Sequence, residues 1–209
     1  MTAQSHSDVS KTTQDDQPTL YNAVSSAVYR LGHDVNEAAN QKSGAARATL
    51  SRLRRAAGTA PGDDPIAWGL ATEELLPNLP AHEIGRSDEP SHGEWAAFTA
   101  LAMFAIHQQS QSSLMHRPSA SIGSAVGELK IASNSESIKA RLDALQTAQS
   151  KKAIQYHLRS IINLLNSYDI PLDYGLVALD LKKLLIPKQR PGVVIRWGRD
   201  YVRALHPAS

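Results

Sequence analysis

The chain has 209 residues, 42% of them apolar, and a net charge of +2, which suffices for one sizeable domain or two small ones with a real core. It contains no cysteine, which excludes disulfides, thiolate-bound zinc, iron–sulfur clusters and a thiol nucleophile, and fits a reducing, cytoplasmic setting. The longest apolar run, Trp95 to Ile106, is broken by Thr99 and falls well short of the roughly twenty residues of a membrane span, so it reads as a core helix and no membrane partner is expected.

Residues 1–18 are rich in Gln, Ser, Thr and Asp without an apolar stretch. They lack the layout of a secretory signal and read as a disordered tail. Beyond them apolar residues recur at three and four rather than two, and no Asn-Gly or Asp-Gly hairpin turn occurs, which predicts an all-α protein of about nine helices forming two small helical bundles. The expected bundles are residues 19–118 and 119–209, divided near 116–120.

Leu20, Val24, Ala27, Val28, Leu31 and Val35 form the stripe of a first helix. A second runs from Gly44 to Ala57, closed by Gly58, with its arginines outward. Asp64-Pro65 predicts an N-cap with proline at the first helical position, for a helix to Leu76 that Pro77 and Pro80 end. Ser91 and Glu94 have capping-box spacing and open the apolar helix through Gln109; Ser133 and Glu136 have it again, ahead of a helix to Thr147. Between these two, Ser121 to Ile131 predicts a helix with Gly123 and Gly127 at a close helix contact. Lys151 to Ser167 follows on Ile154, Leu158, Ile161, Ile162 and Leu165. Asp173 caps a helix through Leu185, and Pro187 and Pro191 bracket a loop before Val193 to Leu205.

Charge lies in blocks. Residues 41–60 carry five basic and no acidic side chains, 61–100 carry eight acidic ones against Arg86, and 151–209 carry ten Lys or Arg against four Asp. A near-neutral sum with one basic end and one acidic middle predicts one face for a polyanion and another turned from it. Arg141 and Arg159 are expected to meet across a helical hairpin as part of a cationic strip. Trp197 and Tyr201, interleaved with Arg196, Arg199 and Arg203, either stack bases or pack in the core, the second leaving the arginines outward.

Chemistry is thinly represented. No phosphate-cradling glycine loop or zinc-protease helix motif is present, and Gly123-Ser124-Ala125-Val126-Gly127 places its serine wrongly for a nucleophile elbow. Glu73-Glu74 and Asp63-Asp64 suit solvation and capping. His33-Asp34 matches the two-residue core of helical metal-dependent phosphohydrolases but lacks the further ligand pair such a site needs. Neither catalytic residues, a metal nor a cofactor is expected. A freestanding adaptor that binds a protein through its acidic middle, Asp63 to Glu94, is the alternative, with the His-Asp phosphohydrolase behind it.

One series of short segments resembles a known family. Met115-His116-Arg117, Ser121-Ile122-Gly123, Ile138-Lys139-Ala140-Arg141, His157-Leu158-Arg159, Ile170-Pro171-Leu172-Asp173-Tyr174, Leu179-Asp180-Leu181 and Trp197-Gly198-Arg199-Asp200-Tyr201 are similar, in this order, to the CasB family, the small subunit of the type I-E CRISPR Cascade surveillance complex. The resemblance runs from about Leu20 to Leu205 and is strongest after Met115. It implies an all-α, non-catalytic subunit, present as a pair of copies beside other Cascade subunits, that braces CRISPR guide RNA and target DNA and holds the displaced strand of the R-loop. Carried onto this sequence, the nucleic-acid-binding positions it implies are Arg47, Arg54, Arg55, Arg117, Lys139, Arg141, Arg159, Arg196 and Arg199.

Overall fold

Thr19 stands in extended backbone with its hydroxyl accepting the Asn22 N–H at 3.0 Å, and so starts the first helix, α1 (Leu20–Asn36). In the computed structural model, residues 19–37 and 42–206 are described; the polar tail expected over 1–18 lies outside them. Eight further helices follow among the described residues: α2 (Ser43–Arg55), α3 (Pro65–Leu75), α4 (His92–His107), α5 (Ile122–Ser133), α6 (Ser137–Thr147), α7 (Lys151–Ser167), α8 (Tyr174–Leu184) and α9 (Arg190–Leu205). Two isolated bridges, Ala57 with Thr59 and His116 with Leu172, are the extended pairings found among those residues. The fold is all-α.

Most helix starts are set by side chains that satisfy free amide donors. Asp64 Oδ1 accepts the Ala67 N–H at 3.1 Å ahead of Pro65. At α4 the capping box is complete: the Glu94 N–H donates to Ser91 Oγ at 3.0 Å, and the Ser91 N–H donates to Glu94 Oε2 at 2.8 Å. Ser121, Ser150 and Asp173 cap α5, α7 and α8 in the same way.

Two local expectations are corrected. Ser133 and Glu136 form no capping box, because α5 runs on through Ser133 and ends at Asn134 in left-handed backbone (φ 47°). Glu136, thus released, pairs with Lys130. Pro191 lies inside the first turn of α9 rather than in the loop before it, where its missing N–H costs nothing and its fixed φ suits the helix.

The centre of the molecule is α4, buried on every side from Gly93 to His107, as an all-round apolar helix must be. It packs against α1, α2, α7 and α8, and a single connected core joins residues on both sides of Pro118. Trp95, Phe98 and Phe104 are at most 1% exposed, and burying each contributes about 1.5–3 kcal/mol or more. α5 lies close along α9 because Gly123 and Gly127 leave room: a Cβ on Gly123 would sit 2.8 Å from the Trp197 carbonyl carbon.

Candidate nucleic-acid interface

On α7 the apolar residues Ile154, Leu158, Ile161, Ile162 and Leu165 occupy one face and are buried. The spacing leaves Lys152, Tyr156, Arg159 and Asn163 on the opposite face, all exposed. Two other helices bring cations to this stripe. On one flank, Arg141 of α6 donates from Nη1 to Ser160 Oγ at 2.6 Å, next to Arg159. On the other, Arg159 Nη1 donates to the Ala57 carbonyl at 3.0 Å, just past the end of α2 that carries Arg54 and Arg55. Gln155, donating to the Thr59 carbonyl at 3.1 Å, fixes the same junction from the buried side.

Carbonyl and hydroxyl partners hold these guanidinium groups without neutralising them. A carbonyl beyond a helix C-terminus is a partial negative charge that orients an arginine and leaves its other donors open. Arg54 Nε likewise donates to the Ala105 carbonyl at 3.2 Å. Burial, and after it the charge of Arg55, pull the Arg54 guanidinium below its usual value; it remains a cation at neutral pH. Such uncompensated positive charge is what a bound anion relieves. One helical face further back, Arg47 and Arg54 line a cleft of about 360 Å³ with Gln108, Gln109 and Gln111. Arg47, Arg54 and Arg55 on α2, Arg141 on α6 and Lys152 and Arg159 on α7 are alike in that none is paired with a carboxylate among the described residues.

The remaining sequence-derived positions lie elsewhere. Arg117 pairs with Glu128 at 2.6 Å. Lys139 pairs with Asp143 on its own helix and lies 5.8 Å from the Tyr201 ring. Two residues from Arg141 is about 200° around the helix, so Lys139 faces α9 and not α7. Arg196 is not free in the solvent: it pairs with Asp180, to which the Trp197 indole N–H also donates at 2.7 Å. Burial raises the Asp180 carboxyl above its usual value, with both partners pulling the other way. Arg199 is exposed on α9, not on α2, α6 or α7. Trp197 and Tyr201 are buried core residues, so the aromatic that does stand among cations is Tyr156, which the sequence reading passed over. Its signal was available, an aromatic on the polar face of an otherwise regular amphipathic helix.

The acidic middle is largely engaged inside the chain. Asp64 binds Arg52, Glu74 binds Arg30, Glu83 binds Lys182, and Glu94 completes its capping box. The hydrogen bond to Arg52, and then the Ala67 N–H, hold the Asp64 carboxyl below its usual range. His33 pairs with Glu37 at 3.3 Å and stacks on Tyr29. Among the described residues, no three His, Asp or Glu side chains gather as a metal site would require, and no helix is long and apolar enough to cross a membrane.

The family model for the CRISPR-associated protein Cse2 matches residues 49–201. Among solved structures, CasB from Thermobifida fusca is similar at 30% identity, with 87% of this chain and 97% of that one covered and a TM-score of 0.72. A CRISPR-associated protein of the Cse2 family from Thermus thermophilus aligns at 22% identity over 87% of this chain and 97% of its own, with a TM-score of 0.62. CasB of M. ruber aligns at 20% identity over 86% and 94%, with a TM-score of 0.61. At those lower identities the likeness is one of fold. No curated protein sequence matches.

Proposed function

The chain belongs to the Cse2 family of CRISPR-associated proteins, the CasB proteins, and from this premise we propose that it is a non-catalytic, cytoplasmic subunit of an RNA-guided interference complex. In that role it sits with other Cascade subunits and a second copy of itself, contacts guide RNA and target DNA without regard to sequence, and stabilises the R-loop by holding the displaced strand. The observation that supports this most is the meeting of α6, α7 and the end of α2 at Arg141, Arg159 and Ala57, where carbonyl and hydroxyl partners hold Arg54, Arg141 and Arg159 and leave their charge available, with Arg47, Arg55 and Lys152 on the same three helices unpaired with any carboxylate among the described residues. R-loop opening exchanges one duplex for another of similar stability, so a few backbone contacts to the freed strand suffice to tip it. Phosphate contacts also carry no sequence information, in keeping with a partner whose specificity resides in its guide.

The test is salt-dependent binding. Six phosphate contacts on a single strand give a slope of log affinity against log salt near −4, at roughly −0.7 each, or about a 300-fold loss from 50 to 200 mM salt. Arg141→Gln with Arg159→Gln keeps polar side chains at both positions and should bring the slope to about −3, with target DNA held more weakly by the assembled complex. Unchanged affinity and slope would refute the track. Purification from the native host should further yield guide RNA and partner subunits with this chain.

A further inference from the structure

Tyr156 is 71% exposed, the most exposed large apolar side chain among the described residues. It has no part in holding α7 to the protein, since the buried face of that helix is completed by Ile154, Leu158, Ile161, Ile162 and Leu165. Its place among charges is specific. Lys152 precedes it by four residues and Arg159 follows it by three, about 6 Å and 4.5 Å along the helix axis, and all three face outward. The ring meets the His157 ring edge to face, at 5.2 Å between centroids and 81° between planes, which limits its swing and leaves a broad face toward solvent. Arg159 is itself fixed on the Ala57 carbonyl, so the cation beside the ring has a defined position.

Cation, aromatic and cation in sequence along one face is the arrangement that receives a single-stranded nucleic acid: the cations hold successive phosphates while an unpaired base lies on the ring. A duplex keeps its base faces stacked on each other and offers none to the tyrosine. We infer that Tyr156 is a stacking platform for an unpaired base, and that it makes the α7 stripe selective for single strands over duplex. This rests on the polyanion reading of the stripe and adds a base contact to its phosphate contacts.

Binding of the full chain to four labelled probes decides it: oligothymidylate, oligouridylate, an abasic strand of equal length and a DNA duplex. Tyr156→Ala should lose roughly 5- to 150-fold in affinity for a base-bearing strand, with the abasic strand, the duplex and the salt slope unchanged, and Tyr156→Phe should bind as the parent does. The strand on which the loss appears, deoxyribose, ribose or both, identifies the ligand. Since the side chain is exposed, circular dichroism of Tyr156→Ala should match the parent. If Tyr156→Ala binds every probe as tightly as the parent while Arg141→Gln with Arg159→Gln weakens them all, the stack is refuted and the charge track stands. If neither variant changes binding, both readings fall together.

Discussion

His107 lies at zero exposure in the last turn of α4, where its Nδ1 shares a hydrogen bond of 2.8 Å with the Tyr174 hydroxyl. Burial lowers its pKa to about 4, against an opposing pull from the backbone at Ile170 and Leu165. Burial lowers His116 as well, and the Tyr174 N–H donates to its Nδ1 at 3.2 Å. Because the folded pKa of His107 lies below the unfolded value near 6.5, the folded state resists the proton that the unfolded chain accepts. Its stabilisation is complete above about pH 6.5 and is lost as pH falls toward 4, a cost of roughly 3 kcal/mol at the end of that range. His116 acts in the same direction, whereas Asp180, with its raised carboxyl, offsets part of the loss as it takes up a proton. Urea unfolding at pH 7, 5.5 and 4.5 should therefore show falling midpoints before most carboxylates titrate. His107→Gln, uncharged throughout, should be less stable at pH 7 by about 1–3 kcal/mol and show a shallower acid limb. An unchanged midpoint from pH 7 to 4.5 in the parent would sink this account.

Helices meet where glycine allows it, and the α5–α9 contact shows how one substitution changes sign with its surroundings. A Cβ at Gly123 would meet backbone atoms of Trp197, which cannot give way without moving α9 and the Trp197–Asp180 bond with it. Gly123→Ala should cost about 1–3 kcal/mol or more. Gly198, on α9 itself, has nothing within 4 Å of such an atom, so Gly198→Ala should gain about 0.5–1 kcal/mol from helix propensity. Thermal unfolding should separate the two, at roughly 2–4 °C per kcal/mol. The elements themselves were readable in the sequence, since their causes are local: Ser91 with Glu94, Asp64 before Pro65 and Asp173 declare their helices, and the stripe of α7 declares its buried face. Ser133 misled because the choice between ending α5 and capping α6 depends on Asn134 adopting left-handed backbone. Among the basic positions, Lys139 and Asp143 stand four apart and their pairing was readable. Arg117 with Glu128 and Arg196 with Asp180 join separate elements, so the sequence could not tell which cations are neutralised. Nor could it place Arg159 on the end of α2, the contact that turns separate basic blocks into one stripe.

Across the whole molecule, the contacts between residues 19–118 and 119–206 are buried and polar as well as apolar. Asp173, at zero exposure, accepts the Tyr21 hydroxyl at 3.0 Å and the Ser119 N–H at 2.7 Å while capping α8 through the Leu176 N–H at 3.1 Å. It thereby ties α1, the connecting loop and α8 to one carboxylate. Asn166 donates to the His107 carbonyl at 2.7 Å, and α4 and α1 both pack on α8. If bundles over 19–118 and 119–209 share this core, neither can unfold without exposing the apolar face of α4 or α8 and stranding buried hydrogen-bonding groups, each worth about 1–3 kcal/mol when left unsatisfied. Unfolding should then be a single transition, with calorimetric and van't Hoff enthalpies equal, and the two segments expressed apart should lack cooperative unfolding. Asp173→Ala strands the Tyr21 hydroxyl and the Ser119 and Leu176 N–H donors and should lower stability by about 2–5 kcal/mol without splitting the transition, because the apolar contacts of α4 with α7 and α8 remain. Two resolved heat-absorption peaks in the parent, or a cooperative melt from the 119–209 segment alone, would mean that the bundles are energetically separate. The cationic stripe draws α2 from one side of Pro118 and α6 and α7 from the other, so its geometry depends on that coupling: a ligand seated on the stripe should stabilise both sides together, in proportion to the logarithm of its concentration over its dissociation constant.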